Sequence, residues 1–261
     1  MKIEGSAAMI RNSFIWLEGV GETGERNFWE QGILSWNDFL HKEVKGISPK
    51  RRIFYIRQIT VANKALVEDD SSFFVDKLPG AHAWRLYEEF LDGAVFLDIE
   101  TNGTGANSII TIVGLFDGYE TKIMVRGINL DFKVLERVLS KYKIIITFNG
   151  SAFDLPILKK AGCKIPNVPH IDLRHVCNKI GLNGGLKYIE RCLNIERPHK
   201  VNKLSGGDAT LLWKMYYGSG DEYYLNILVK YNQEDIINLK KIADFAVKKL
   251  SMLQFQNITK S

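Results

Sequence analysis

Lys143–Phe148 is a nearly continuous apolar run, Lys-Ile-Ile-Ile-Thr-Phe, with no alternating polar face. A strand of that composition must be covered on both sides, which is the condition of an inner strand in an α/β sheet. The runs before it, Ala94–Glu100, Ser108–Phe116 and Glu120–Val125, also read as strands, punctuated by Thr101–Asn107 and by Asp117-Gly118. Helix patterns follow at Asp131–Leu139, from Asp154 to Ala161, and at Leu173–Ile180, Gly185–Leu193, Gly207–Tyr217 and Glu222–Leu250, the last with a break expected near Tyr231. Ile171 sits on a short strand between them. Strands, then alternating strands and helices, then mostly helices specify an α/β domain around a mixed central sheet, over residues 86–261.

Residues 1–85 carry a different pattern, helical segments joined by glycine turns. Ser35 is placed to cap a helix beginning at Trp36, and residues 49–67 and 81–91 have helix-compatible periodicity separated by Pro79-Gly80. Two domains fit a chain of 261 residues. Acids and bases nearly balance over 1–85, so the net charge of +5 arises behind it and makes no basic arm. Cys163, Cys177 and Cys192 lack the spacing of a zinc ligand set and read as free thiols in a reducing compartment. No apolar stretch reaches membrane-spanning length, and the opening Met1-Lys-Ile-Glu-Gly-Ser6 has no apolar core of a signal peptide; a cytoplasmic protein is expected.

Asp98 and Glu100 close the first strand run one residue apart, so both carboxylates project from the same face. Neighbouring anions repel unless cations neutralise them, and no Lys or Arg lies within several residues to do so. Asp154 opens a helix just after the turn Asn149-Gly150. Tyr231 and Asp235 stand one helical turn apart and share a face. Two hard divalent cations bound among the four acids would suit phosphoryl-transfer chemistry.

These three elements, in this order, resemble the DEDD superfamily of 3′–5′ exonucleases, which carry a ribonuclease H-like fold. Asp98-Ile-Glu100-Thr101 matches the first motif, Asn149 with Phe153-Asp154 the second, and Tyr231-Asn-Gln-Glu-Asp235 the tyrosine form of the third, called DEDDy. Gly185-Leu-Lys-Tyr-Ile-Glu190 and Gly206-Gly-Asp-Ala209 resemble the YprB-type branch. The resemblance covers about residues 92–246. It implies two Mg²⁺ or Mn²⁺ ions held by Asp98, Glu100, Asp154 and Asp235, with Asp98 bridging both, and an attacking water aimed by Tyr231. It also implies a single-stranded nucleic-acid substrate, DNA favoured over RNA, and contacts to the terminal nucleotide from Thr101, Asn149 and Phe153. The small loop Asn102–Asn107 lacks the bulky residue that often wedges the terminal base.

Lys187 and Arg191, one helical turn apart, and the loop cations Arg197, His199, Lys200 and Lys203 are candidates to line the path of a strand backbone. His170 and Asp172 read as structural. The front segment resembles a helix-hairpin-helix unit in Gly19-Val-Gly21, where backbone N–H groups would hold a phosphate, although Glu18 and Glu22 flank the turn. The same acids would serve an RNA-trimming exoribonuclease. An internal nuclease and a non-catalytic nucleic-acid-binding module are the remaining alternatives.

Overall fold

The computed structural model describes residues 9–103, 105 and 108–259. The opening residues read for a signal peptide, and Thr104, Ala106 and Asn107 of the small loop, lie outside the described residues. The chain forms two compact units, one comprising Met1–Leu91 with Asn167–Pro169 and Val247–Ser261, the other Asp92–Pro166 and His170–Ala246.

The first unit is helical: α1 (Glu22–Glu30), α2 (Trp36–His41) and α3 (Pro49–Val67). Ser35 caps α2 by accepting from Asp38 N–H, and Ser48 caps α3, where Pro49 fills a position whose N–H has no helical partner. Aromatic rings fill the core edge to face, Phe28 lying 5.3 Å from Phe14 and 5.4 Å from Phe39. The expected helix over 81–91 is instead a 3-10 helix at Gly80–Leu86. Its Ala83, Trp84, Arg85 and Leu86 are all buried, so no polar face remains to define an amphipathic α-helix.

The second unit holds β1 (Ala94–Thr101), β2 (Ile110–Phe116), β3 (Thr121–Val125), α4 (Phe132–Leu139), β4 (Ile144–Thr147), α5 (Asp154–Lys160), β5 (His170–Asp172), α6 (Leu173–Lys179), α7 (Leu186–Cys192), α8 (Gly206–Ser219) and α9 (Glu222–Thr259) as far as Ala246. The strand order is β3-β2-β1-β4-β5, antiparallel on the β2 side of β1 and parallel on the β4 side. This is the expected mixed sheet flanked by helices. β4 is buried throughout, as its unbroken apolar run requires.

Helix α9 runs without the break expected near Tyr231. Leu228, Asn232, Ile236 and Leu239 are all fully buried, so one packed face continues through that point, and no Pro or Gly interrupts it. Its close approach to the sheet depends on Gly114 of β2. A Cβ there would lie 2.0 Å from Asn232 Oδ1. No described helix is long and apolar enough to cross a membrane.

Candidate active site

Strand β1 carries Asp98 opposite Gly114 and Glu100 opposite Ile112, and its register slips between Glu100 and Thr101. A bulge of this kind ends regular pairing and re-aims side chains at the strand end. Helix α9 adds Asp235. One carboxylate oxygen from each of Asp98, Glu100 and Asp235 lies within 4.8 Å of the other two. Glu100 and Asp235 are buried and Asp98 is half-buried. Asp154, buried at the start of α5, stands beside this trio but outside its 4.8 Å grouping, and its Oδ1 accepts from Ile99 N–H at 3.0 Å.

The crowding shows in the proton affinities. Burial pushes the Asp98 carboxyl well above the ordinary range, and the charges of Asp154, Asp235 and Glu100 push it further. Glu100 moves the same way, first by burial and then by Asp235 and Asp154. Burial raises Asp154 to about 7 against the pull of the Ile99 N–H, and raises Asp235 to about 6 against the pull of Arg197. Repelling, desolvated carboxylates of this kind form an all-oxygen donor set that fits hard divalent cations.

Two cations offset part of this charge. The side chain of Arg197 is 3% exposed; it holds Glu190 through two hydrogen bonds of 2.7 and 2.6 Å and forms an ion pair with Asp235. Burial works against its charge, but Glu190 and Asp235 hold it firmly protonated. Asn238, one turn beyond Asp235, also donates to Glu190 at 2.9 Å. Lys187 Nζ lies 4.4 Å from the centre of the Tyr231 ring and has no hydrogen-bond partner; burial and then Arg197 lower its pKa. Burial, followed by Asp235, Glu100 and Asp98, raises the Tyr231 phenol far above its ordinary value, so it stays protonated at neutral pH. A cavity of about 370 Å³ opens here, walled by Asp98, Glu100, Asp235, Tyr231, Lys187 and the start of α8 at Ser205-Gly206.

The family model of the RNase_H superfamily, RNase_H_2, matches residues 95–247. The chain belongs to the RNase H superfamily. The match contains all four acids and Tyr231. Among solved structures, the chain is similar to the family B DNA polymerase from the hyperthermophilic archaeon Pyrobaculum calidifontis, at 12% identity and a TM-score of 0.48, over 58% of this chain and 24% of the polymerase. It thus spans about a quarter of that protein's length. No curated protein matches the chain.

In this RNase H-like domain the remaining residues singled out from the sequence are dispersed. Thr101 follows the bulge, and its hydroxyl is spent on the Gly103 carbonyl at 2.7 Å. Asn149 sits at φ 64°, donates its N–H to Asp172 at 2.7 Å, and accepts from Arg174 through its side chain at 2.8 Å. Phe153 is half-buried at the N-cap of α5. None of the three lines the cavity; Phe148 does. Lys187 lines it, whereas Arg191 is exposed and does not. Arg197 departs from the backbone-path expectation. It is a buried brace, because Glu190 and Asp235 supply the partners that a loop cation would otherwise seek in solvent, while His199, Lys200 and Lys203 are exposed. Asp172, read as structural, accepts from Asn149, Ser151 and Arg174 backbone N–H groups and pins the turn ahead of α5. In the first unit Gly19 has φ +75°, and Gly21 is the uncapped N-cap of α1. Arg51 donates to the Glu18 backbone carbonyl, placing a cation against Gly19 of this turn.

Arg197 and Asn232 were not legible as partners of the acids. Asn232 donates to Asp98 Oδ2 at 2.9 Å across 134 residues. A basic residue seven positions after a glutamate, or an amide next to a tyrosine, carries no local signal of such a role.

Proposed function

We propose that residues 86–261 form a DEDDy-type 3′–5′ exonuclease domain. It would hydrolyse single-stranded nucleic acid, DNA favoured over RNA, to nucleoside 5′-monophosphates. The observation that carries this reading is the trio Asp98, Glu100 and Asp235, three carboxylates gathered at a strand end with Asp154 beside them and too few cations to balance them. Asp98, Glu100, Asp154 and Asp235 would hold two Mg²⁺ or Mn²⁺ ions. Bound there, such ions supply charge neutralisation for the phosphate and a more acidic water.

The chain's own groups divide the remaining work. The phenol of Tyr231 keeps its proton and donates a hydrogen bond, which suits it to orienting a water rather than to removing a proton. Arg197, anchored on Glu190, fixes the rotamer of Asp235. The Lys187 ammonium, without a hydrogen-bond partner at the cavity wall, is available to an anionic phosphate oxygen. The glycine turn at Gly19 and Gly21, with the Arg51 guanidinium beside it, supports a phosphate-holding role for a helix-hairpin-helix-like segment over 1–85.

The test is degradation of a 3′-labelled single strand by purified protein with Mn²⁺. Mononucleotide release that stops in chelator and in Asp98→Ala supports the proposal. Nicking of a circular single strand points instead to an endonuclease. Degradation of RNA with DNA left intact points to the exoribonuclease. Binding without cleavage of either leaves a nucleic-acid-binding module.

A further inference from the structure

We propose that the aromatic end of α8 is a second nucleic-acid subsite, a stacking platform for bases several nucleotides away from the end held at the acids. The proposal rests on the substrate class inferred above. A cavity of about 700 Å³ opens between the C-terminal half of α8 and the ends of β2 and β3; Ile109, Arg126, Trp213, Lys214, Tyr216 and Tyr217 line it. The rings of Trp213 and Tyr217 stack at 6.3 Å with 27° between their planes, and Tyr216 lies 5.7 Å from Trp213. Trp213 is rooted in a buried cluster with Leu212, Leu225 and Leu228, while Tyr217 is 81% exposed. One ring is therefore held rigid and the other laid bare against it.

Charge selects the occupant. Both ionic side chains at this cavity, Arg126 and Lys214, are cationic, and no carboxylate is among the described residues that line it. Cations interleaved with exposed rings match a single strand, whose phosphates need counter-charge and whose bases each offer a π-face. Helix α8 also links this cavity to the first. Its start, Ser205-Gly206, walls the acid cavity, and Tyr217 lies eleven residues further along the same helix. At 1.5 Å per residue that is about 16 Å, within reach of one short strand. Thr210, midway, can donate to the carbonyl of Thr101 at 3.4 Å, which fixes α8 against the end of β1.

The test measures binding without chemistry. Fluorescently labelled single-stranded DNA of four and of twelve nucleotides is titrated with Ca²⁺ in place of Mg²⁺ or Mn²⁺, which neutralises the acids but fits the tight octahedral geometry of the reaction poorly. The proteins are wild type, Tyr217→Ala and Lys214→Ala, each checked for folding by circular dichroism. Both residues are exposed and outside the acid cavity. The proposal predicts that Tyr217→Ala weakens the 12-mer about tenfold or more, as loss of a stacking ring does. The 4-mer is held as in wild type. Tryptophan emission is quenched by the 12-mer alone, a change that Trp213→Phe abolishes, and Lys214→Ala lowers the salt slope by about one. Unchanged 12-mer binding in Tyr217→Ala overturns the subsite and leaves the face to a protein partner. Equal weakening of both lengths overturns it too. Failure of wild type to bind either strand overturns the nucleic-acid reading itself, a separate result.

Discussion

Each of the two units buries carboxylates, but in opposite ways. In the first, Glu25 meets Arg85 with both side chains 2% exposed, through two hydrogen bonds of 2.7 and 2.9 Å. Glu25 Oε1 also accepts from Phe14 N–H, Ile15 N–H and the Ser13 hydroxyl. One anion meets one cation. In the second, Asp98, Glu100, Asp154 and Asp235 crowd together with Glu190 nearby, and Arg197 and Lys187 are the cations set against them. A buried charge that has its partner is architecture. A buried surplus of one sign is a place for a ligand of the other sign, since the fold tolerates the repulsion without relieving it.

Truncation should separate the two settings most sharply. Arg85→Met strands Glu25 in an apolar core, and urea unfolding should show a loss of about 3–5 kcal/mol. Asp98→Asn removes a repelling charge, and the metal-free protein should be as stable as wild type or more so. Equal losses in the two variants would erase the distinction. Next in size is Tyr231→Phe, expected to lower turnover about 10²-fold with substrate and metal affinity nearly unchanged. If the variant unfolds, Tyr231 acts only as part of the apolar cluster that it joins with Leu225 and Leu228.

The smallest effect sharpens the comparison through pH. Asp154 rises from 3.8 to about 7 on folding and Asp235 from 3.8 to about 6, so the folded chain binds more protons than the unfolded one across that window. Stability contributed by these groups is therefore present at low pH and lost as pH rises from about 4 to about 7. Thermal melts in EDTA should show the second unit weakening over that range, and excess Mn²⁺ should flatten the profile by holding the carboxylates ionised. A metal-free profile that strengthens instead would mean that the cluster is already neutralised within the protein.

What the sequence could reveal followed the range of the signal. Asp98 and Glu100 are legible because a strand's two-residue repeat is local, and Tyr231 with Asp235 because a helical turn is local. The limits of the strands and of α4 to α8 fall within two residues or so of the hydrophobic pattern, whereas α9 runs to Thr259, past the expected Leu250; Asp131 caps α4 from the position that its type suggests. Arg197 was misread because both its partners arrive by tertiary folding, Asp235 from 38 residues further on. The assignment of Asn149 and Phe153 to a substrate rested on motif position, whereas their surroundings in the fold give Asn149 to Asp172 and Arg174 and set Phe153 at a helix start. Gly114 looked like an ordinary strand residue until Asn232 was seen to need its missing side chain.

Calorimetric titration of Mn²⁺ into metal-free protein at pH 6, where Asp154 and Asp235 still hold protons, tests the central claim most directly. The claim is that the crowded acids are a cation site rather than a structural cluster. Wild type should take up two ions in a saturable isotherm, with protons released to the buffer as the raised carboxylates ionise. Asp98→Asn, folded and at least as stable, should lose that uptake. An isotherm without binding, or one that Asp98→Asn leaves unchanged, would contradict the account.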